Sequence, residues 1–519
     1  MKKYISKLIF LMLIGIFTGC QNFDELSENP NNPTSVPASL IFTKICNDLN
    51  ENPWSAAHQY AQFWCLNYEY YGNQNYNWTT TNFNFNSLYD LQKMEQEAIT
   101  GGADAANNPY KAIGKFFKAY YFVNMTQRVG DIPLTEALRA AEDIRTPKYD
   151  SQKSVYIQCL KWLDEANDDI KLLITKGDKT LAGDIYYGND LSKWQKAVNA
   201  YRLRVLISLS KRESEIDIKA QFATILSNSA KYPLFVSNAD NLSYGYNSVV
   251  NKYPANPDNF GFNATRYNMA DTYIGTLTKL KDPRVFVVAE PADSLLKKGL
   301  KPSDYAAYQG APTGESLADM SFKVTQELYS YINRNRYYSS YTAEKNTMIG
   351  YIEQCFNIAE GINRGWAAGN AEDFYTKGVT ASIAFYNIND GANTFYYLPK
   401  GKKLGEYVAY TANFNLPNYL NSADVKYKGN NSDGLKQILT QKYLGFFQNS
   451  GWEAFYNQRR TGIPTFHVGP GNTNGQRIPL RWQYPSSERV VNSGNWKTAL
   501  QNQFGNTNDD INSAMWLVK

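Results

Sequence analysis

Hydrophobic side chains recur at helical spacing over several long stretches of this chain. In residues 112–123, 155–166 and 194–205, apolar positions return every third or fourth residue. That spacing aligns them along one face of an α-helix. Asp150 and Ser151 precede the second stretch, where a short polar side chain can accept the first free backbone amides of a helix. The pattern predicts a mainly α-helical protein.

Residues 348–366 and 371–386 contain two further helical patterns that only a few residues separate. Gly365 and Gly369 interrupt the first pattern, and Asn370 can cap the second. Two helices with so short a connection pack antiparallel. Such a pair is the repeating unit of a tetratricopeptide-like solenoid, although the chain has no clean repeat of the usual ~34 residues.

Long segments rich in Gly, Pro, Asn and Tyr lie between the helical patterns. They cover residues 67–86, 237–265, 298–341, 391–431 and 467–495. Loops of this length usually carry function or a small subdomain. We therefore predict a helix-pair scaffold, mainly within 35–235 and 345–460. A variable, loop-rich half with short strands, mainly within 237–341 and 391–431, completes a single domain over 35–519.

The first residues have the parts of a bacterial secretion signal. Three lysines precede the apolar run 8–17, which is too short to span a membrane. Thr18, Gly19 and Cys20 follow and resemble a lipobox, in which the cysteine is lipidated after cleavage. We predict a signal peptide over 1–19, a lipid on Cys20 and a flexible tether over 20–34. An ordinary signal peptide with a chance cysteine is the alternative.

Composition narrows the class of ligand. Charged residues make up only 19% of the chain, whereas it has 40 Tyr, 26 Phe and 10 Trp. Aromatic rings and side-chain amides suit neutral, hydroxyl-rich ligands. The net charge of +5 is spread without a basic cluster, so the charge pattern of a nucleic-acid binder is missing. The four cysteines after Cys20 lie in apolar patterns and are expected to be buried thiols.

Several ordered motifs resemble the SusD/RagB family of nutrient-binding outer-membrane lipoproteins. After the lipobox come GDIPLTEAL (130–138), LTKLKDPRV (277–285) and the helix pair 351–386. The C-terminal part matches best, with ILTQKYLGFFQNSGWEAFYNQRRTGIPTF (438–466) followed by RIPLRWQYPSSERVVNSGNW (477–496). Each motif alone is weak, but the ordered set is specific and spans nearly all of 20–519.

The resemblance implies a fold, a location and a role. It implies an α-rich fold with four tetratricopeptide-like helix pairs, anchored by its lipid in the outer membrane and exposed at the cell surface. It further implies a non-catalytic protein that captures oligosaccharides and delivers them to a SusC-like TonB-dependent transporter. Binding of peptides or other nutrients is an alternative. A lipid-anchored glycan hydrolase and an adhesion protein are two others.

Two aromatic clusters are the candidate ligand sites. The family often places ligand-gripping rings in the loop between early helices. We expect contacts there from Tyr71, Asn75, Tyr76 and Trp78, with Trp78 the most exposed. The second cluster alternates aromatic and polar residues as in a strand or hairpin, and its candidates are Arg336, Tyr337 and Tyr338.

Signals for catalysis or a cofactor are sparse. The only histidines, His58 and His467, lie far apart, and no HExxH or GxSxG motif is present. We expect His58 to be structural. No EF-hand loop is found, so no metal and no cofactor is predicted. A glycosidase needs only two carboxylates, and the pairs that sequence offers are Asp131 with Glu136 and Glu353 with Glu360.

The arginines of the RRTG motif fit a structural role better. Arg459 and Arg460 stand at the predicted end of a helix, where they can hold the last carbonyls. The motif belongs to the family signature whatever the nutrient is. We therefore expect both arginines to support the scaffold.

Overall fold

The computed structural model of the chain describes residues 35–68, 74–79 and 81–519. Within them the chain is mainly helical, so the predicted fold class is confirmed. The helices are α1 (Ala38–Asp48), α2 (Ala56–Tyr60), α3 (Phe85–Thr100), α4 (Pro109–Val129), α5 (Gln152–Thr175), α6 (Leu191–Ser208), α7 (Ile218–Ser227), α8 (Phe260–Asn263), α9 (Asp271–Leu280), α10 (Val285–Val288), α11 (Asp293–Lys297), α12 (Leu317–Thr325), α13 (Arg334–Tyr338), α14 (Tyr351–Asn363), α15 (Ala371–Phe385), α16 (Leu416–Leu420), α17 (Ser432–Gly445), α18 (Glu453–Thr461), α19 (Thr473–Gln476), α20 (Ser486–Val491) and α21 (Ser493–Phe504).

The strands form small antiparallel sheets of two strands each. They are β1 (Trp64–Leu66), β2 (Leu242–Tyr244), β3 (Tyr267–Met269), β4 (Asn346–Ile349), β5 (Gly391–Tyr397) and β6 (Val408–Phe414). β1 pairs with β3, β2 with β4, and β5 with β6. The first two sheets tie distant parts of the chain together, whereas β5 and β6 form a local hairpin.

The long helices pack in chain order. α1 packs on α3, α3 on α4, α4 on α5, and α5 on α6. The predicted pair α14 and α15 is present, and α14 also contacts α6 and α17. This arrangement joins the two helical regions, and a hydrophobic core extends from Ala38 to Val518. The domain boundaries drawn from the sequence stay predictions.

Local sequence explains where key helices begin and how closely they approach. The side chain of Ser151 accepts a hydrogen bond from the Ser154 amide at 3.2 Å, and Asn370 accepts one from Glu372 at 3.0 Å. Both predicted N-caps are therefore present. A Cβ on Gly378 of α15 would lie 2.7 Å from Cζ of Phe356 on α14. Glycine costs about 1 kcal/mol of helix propensity at such a position, but it allows the two helices to touch.

One local prediction is wrong in part: Tyr331 and Ile332 form isolated β-bridges with Asn268 and Ala289, but the residues that follow are helical. The aromatic segment around residues 329–341 was expected to be a strand or hairpin, but its centre is the helix α13. Asn333 caps that helix by accepting the Arg336 amide at 2.9 Å. Arg334 is buried, and its Nε donates to Oε2 of Glu290 at 2.8 Å. The cap and the buried ion pair favour a helical turn over the strand that the alternating pattern predicted.

Several polar residues have structural roles in the core. Arg459 donates to the Leu480 carbonyl at 2.9 Å, and Arg460 donates to both carboxylate oxygens of Glu360. His58 is fully buried, as expected. The four cysteines 46, 65, 159 and 355 are buried free thiols. In the described part of the chain, no helix combines the length and apolar composition needed to cross a bilayer.

Candidate functional site

A cleft of about 560 Å³ opens between α9 and α17. The two helices supply most of its polar lining: Asp271, Thr272, Thr276 and Lys279 from α9, and Asp433, Lys436, Gln437, Thr440 and Gln441 from α17. On each helix these positions recur about once per turn, at 271/272, 276 and 279 on α9 and at 433, 436/437 and 440/441 on α17, so each set shares one helix face. The cleft is thus built from two polar helix faces that the fold brings opposite each other.

Gln62 fixes one rim of the cleft. Its side-chain amide accepts from the His467 backbone amide at 2.9 Å and donates to the His467 carbonyl at 2.8 Å. The same Oε1 accepts from the Thr272 hydroxyl at 2.6 Å. Gln62 is fully buried, and its hydrogen bonds join the chain segment around His467 to α9. Sequence analysis did not single this residue out.

Gln437 fixes the opposite rim. Its Nε2 donates to the Lys426 carbonyl at 2.8 Å, and its Oε1 accepts from the Lys428 amide at 2.9 Å. The loop that carries Asp424 and Lys428 is therefore held against α17. At the floor, Tyr375 donates its hydroxyl to the Val425 carbonyl at 2.7 Å. Both rims are thus positioned by side-chain amides, which makes the cleft a preformed feature of the fold.

The cleft carries charges of both signs. Lys279, Lys436 and Asp433 are exposed, and their charged groups form no ion pair with any residue that the structure describes. Nε2 of His467 lies 3.5 Å from Oδ2 of Asp271, and both side chains are about half exposed. Ammonium and carboxylate groups form stronger hydrogen bonds than neutral groups do. The lining can therefore donate to and accept from a hydroxyl-rich or charged ligand.

Below the cleft floor lies a buried ion pair. Nε of Arg284 donates to Oδ1 of Asp282 at 2.9 Å, and both side chains are fully buried. Nη2 of the same arginine donates to Gln441 at 2.7 Å. Because Gln441 also lines the cleft, this ion pair holds the floor of the cleft in place.

The structure places Trp78, which we expected to contact the ligand, in the core. Its ring stacks on Trp482 with centroids 4.0 Å apart, and its side chain is only 6% exposed. Trp452 meets Trp482 edge-on at 4.8 Å, and Tyr60 meets Trp78 edge-on at 5.2 Å. We call these four rings, with Tyr76, the ring cluster. The expectation that Trp78 is exposed is wrong, because neighbouring rings from α2, the start of α18 and the C-terminal segment cover it.

The other predicted ring contacts are also enclosed. Tyr76 is fully buried, and its hydroxyl accepts from Nε2 of Gln62 at 3.1 Å. Tyr337 and Tyr338 are fully buried as well. Arg336 donates to Oε2 of Glu344 at 2.9 and 2.6 Å, so its guanidinium is already engaged. A ligand role for these residues stays a prediction, and their burial argues against it.

Three predicted residues need separate mention. Asn75 is half-buried beside the ring cluster residue Tyr76. Tyr71 and the lipid-attachment residue Cys20 lie outside the described residues.

Exposed rings occur at a different place. Tyr68 is 45% exposed, and the guanidinium of Arg266 lies 4.3 Å above its ring. Phe322 on α12 is 65% exposed, and the neighbouring Ser321 donates to the Asn67 carbonyl at 2.9 Å. We call Tyr68, Arg266 and Phe322 the Tyr68 patch. Among the described residues of the loop that the sequence pointed to, Tyr68 thus presents a ring to solvent.

The carboxylate pairs considered for glycoside hydrolysis have structural partners. Glu353 accepts from Nε of Arg204 at 2.7 Å, and Glu360 binds Arg460. Burial alone would raise the pKa of Glu360, but Arg460, Arg364 and Lys442 together lower it to about 2. Such a carboxylate is not a proton donor at neutral pH.

The second pair holds backbone groups. Asp131 accepts from the Gln152 amide and Glu136 from the Lys148 amide, both at 2.8 Å. Across the described ranges, no group of three or more His, Cys, Asp or Glu side chains is arranged to hold a metal ion. Neither carboxylate pair therefore stands free in an open site.

Comparison with known proteins identifies the family. The model of the SusD-like family, described as starch-binding and associating with the outer membrane, matches residues 30–485. This chain belongs to the SusD-like family. None of the curated proteins searched matches it.

Solved structures of SusD homologues share its fold. Two from Bacteroides fragilis are 30% and 31% identical to this SusD-like chain, with TM-scores of 0.79 and 0.77. A protein from Bacteroides vulgatus, named for an outer-membrane location and nutrient binding, is 30% identical with a TM-score of 0.78. Each alignment covers 93% of this chain and 100% of the other. The family resemblance found in the sequence is therefore confirmed.

The family motifs 277–285 and 438–466 include cleft residues such as Lys279 and Thr440, but nothing in the sequence marked them as a ligand site. The cleft residues recur at helical spacing on α9 and α17, which is a detectable signal. However, a polar stripe on a helix is also the ordinary appearance of a solvated surface. Only the fold shows that the two stripes face each other.

Proposed function

We propose that this SusD-like protein captures oligosaccharides at the cell surface, with the cleft as the main binding site. The match to a starch-binding family over residues 30–485 carries this proposal. A volume of about 560 Å³ lies within the range of roughly 300–1,000 Å³ that small-ligand sites occupy. The cleft supplies donors and acceptors for sugar hydroxyls. Phe322 of the Tyr68 patch supplies an exposed ring for the apolar side of a sugar.

Capture without cleavage is the second part of the proposal. A glycosidase acid needs a carboxyl that burial keeps protonated near neutral pH. The three carboxylates that line the cleft are those of Asp271, Asp424 and Asp433, and all are partly or fully exposed. The buried carboxylates Glu353 and Glu360 are engaged by arginines. Burial raises the pKa of Asp131 to about 6, but this carboxylate accepts from the Gln152 amide and does not line the cleft. These positions favour a binding protein over a hydrolase.

Calorimetry on the purified protein tests both parts. We expect starch-derived oligosaccharides to bind without the appearance of shorter products in chromatography. Replacing two cleft lysines, Lys279→Ala with Lys436→Ala, should weaken binding at least tenfold, because each lost charged hydrogen bond costs about 1.5–3 kcal/mol. Lys497→Ala, an exposed lysine on α21 outside the cleft, is the matched control. Unchanged affinity in the double variant would remove the cleft from the proposal.

Peptide capture is the second candidate. The unpaired lysines and aspartates of the cleft could receive the charged termini of a short peptide. Tripeptides and oligosaccharides should therefore be compared in the same titration. Saturable binding of peptides, with none of any oligosaccharide, would reassign the ligand class.

The location and the partner complete the proposal. We propose that a lipid on Cys20 anchors the chain in the outer membrane, where a SusC-like TonB-dependent transporter receives the ligand. Outer-membrane association in the family description supports the location. Cys20→Ala should release the protein into the soluble fraction, and the wild-type protein should co-purify with a transporter after mild detergent extraction. Continued membrane association of the variant would refute the anchor.

A further inference from the structure

The two edges of the β5–β6 hairpin differ in how they are covered. On the β5 side, Nδ2 of Asn333 donates to the Tyr396 carbonyl at 2.9 Å. Arg334 donates to the Leu398 carbonyl just beyond the strand at 2.5 Å. On the β6 side, no group outside β5 within the described ranges hydrogen-bonds to the main chain of residues 408–414. One edge is covered and the other is open.

The register shows which groups of β6 face outward. Tyr396 pairs with Ala409, Thr394 with Thr411, and Ala392 with Asn413. Because the Tyr396 carbonyl bonds to Asn333 outside the hairpin, Tyr396 and Ala409 form a non-hydrogen-bonded pair. The alternation of antiparallel pairing then applies to Thr411 and Asn413 as well. The N–H and C=O groups of Ala409, Thr411 and Asn413 therefore point away from β5.

The open edge lacks the usual protection. Proteins commonly guard exposed edges with lysine, proline or a bulge. The seven residues of β6, VAYTANF, contain no charge and no proline, and their register with β5 is regular. Ala409, Thr411 and Asn413 are all exposed. β6 is thus a regular strand that can accept another strand.

We propose that the partner of this edge is β6 of a second copy of the chain, in an antiparallel pair related by a two-fold axis. The outward-facing residues 409, 411 and 413 are symmetric about Thr411, which is the middle residue of β6. Antiparallel pairing about Thr411 therefore matches Ala409 with Asn413 of the second copy and Thr411 with itself. Every outward donor meets an acceptor, as an isologous interface requires.

Charge favours this arrangement. The turn between β5 and β6 carries Lys400, Lys402 and Lys403. Lys400 pairs with Glu327, and Nζ of Lys402 lies 3.9 Å from Oε1 of Glu406, so the turn keeps a net positive charge from Lys403. A parallel approach of two hairpins would bring the basic turns together. The two-fold antiparallel approach places them at opposite ends of the four-stranded sheet. The neutral strand and the separated turns thus favour antiparallel over parallel pairing of two copies.

Cysteine crosslinking tests the register. Directly opposite residues in the hydrogen-bonded pair at Thr411 would have Cα atoms about 5.5 Å apart, within the range of about 4.4–6.8 Å that a disulfide needs. The four described cysteines are buried, and Cys20→Ala removes the remaining thiol. In that background, Thr411→Cys should form a disulfide-linked dimer under mild oxidation. Asn413→Cys should not, because its Cα would lie about 13 Å from its mate along the strand.

Sedimentation velocity tests the edge without a crosslink. A seven-residue strand pair is small beside the ~1,200–2,000 Å² of a stable interface, so we expect dimers only at high protein concentration. Thr411→Lys should raise the dimer dissociation constant at least tenfold. Thr394→Lys is the matched control, since it lies directly opposite on the same exposed face but on the covered strand.

Three results would overturn the inference. One is a monomer at every concentration, and another is equal effects of Thr411→Lys and Thr394→Lys on the dimer. The third is a Thr411→Cys variant that crosslinks no faster than Asn413→Cys. A monomeric chain whose β6 amides become protected from hydrogen exchange only when a transporter is added would assign the edge to that partner instead.

Discussion

The ring cluster and the cleft lie on either side of one residue, Gln62, yet they are built from opposite kinds of side chain. The ring cluster around Trp78 and Trp482 is aromatic and closed, and its rings contact one another. The cleft is lined by Lys, Asp, Thr and Gln, and it is open to solvent. Aromatic content alone therefore does not locate a sugar site. Burying a large ring in the core stabilises the fold, whereas a ring left exposed at a binding surface does not.

The largest effect that separates the two regions is expected at Trp78. Trp78→Ala should lower the free energy of unfolding by about 3–5 kcal/mol, because it removes a large ring from a stacked, buried cluster. Urea denaturation with fluorescence and circular dichroism measures this change. Oligosaccharide affinity of the variant, measured where it is still folded, should match the parent.

Phe322→Ala is the control for that variant. The ring of Phe322 is 65% exposed, so its loss should change the free energy of unfolding by no more than about 0.5 kcal/mol. If Trp78→Ala instead leaves stability intact and abolishes binding, the ring cluster opens in solution and its burial is not a permanent state.

A second effect comes from His58, which the fold buries on α2. Burial lowers the pKa of His58 to about 3, and its ring nitrogens have no hydrogen-bond partner among the described residues. Below pH 6.5 the unfolded chain binds a proton at His58 that the folded chain excludes. Stability should therefore fall by about 1.4 kcal/mol per pH unit as the pH decreases from 6.5 towards 3. His58→Leu should remove this contribution.

The readout is the difference between variant and parent at each pH. Burial raises the pKa of Asp131 to about 6, so this group stabilises the fold as the pH decreases below 6 and partly masks the slope in the parent. His467→Gln is the matched control, since His467 is the only other histidine and is exposed. Parallel pH curves for His58→Leu and the parent would contradict the burial of a neutral His58.

The helical scaffold was largely predictable because the signals that determine helices lie close together in the sequence. Apolar spacing located the long helices, and short polar caps such as Ser151 and Asn370 marked where two of them begin. Trp78 was assigned to the surface because it stands among asparagines and threonines outside any helical period. Its partner Trp482 lies some 400 residues away in the sequence, so no local sequence pattern predicts that contact.

The cleft was not predictable for a related reason. Lys436 and Lys279 look like ordinary solvated positions on two separate helices. Their convergence depends on long-range contacts such as those of Gln62, whose side chain accepts from Thr272 of α9 and whose carbonyl accepts from Tyr443 of α17. Family resemblance supplied the fold and the class of function, but it did not supply the lining of the site.

A third effect should appear where the two regions meet. Gln62 donates to the Tyr76 hydroxyl in the ring cluster and holds both main-chain groups of His467 at the cleft rim. Gln62→Ala should cost about 1–3 kcal/mol of stability, because it leaves buried polar groups unpaired. It should also weaken ligand binding by loosening the rim.

For Gln62→Ala, stability should be measured by denaturation and ligand affinity by calorimetry, both at the same temperature. Thr440→Ala is a useful comparison, since Thr440 lines the cleft but, among the described residues, donates its hydroxyl to the Lys436 carbonyl of its own helix and to no other group. A Gln62→Ala protein with lower stability but unchanged affinity would show that the rim does not depend on Gln62.

The smallest expected effect concerns salt, and it distinguishes the ligand classes that the cleft could accept. A neutral oligosaccharide makes only short-range hydrogen bonds with Lys279, Lys436 and Asp433. Raising the ionic strength from about 0.05 to 0.5 M should then change its dissociation constant less than about twofold. A short peptide held by its charged termini should bind several-fold more weakly over the same range, because the added salt shortens the Debye length. Strong salt dependence for an oligosaccharide would mean that the ligand carries charge and that ionic contacts dominate the cleft.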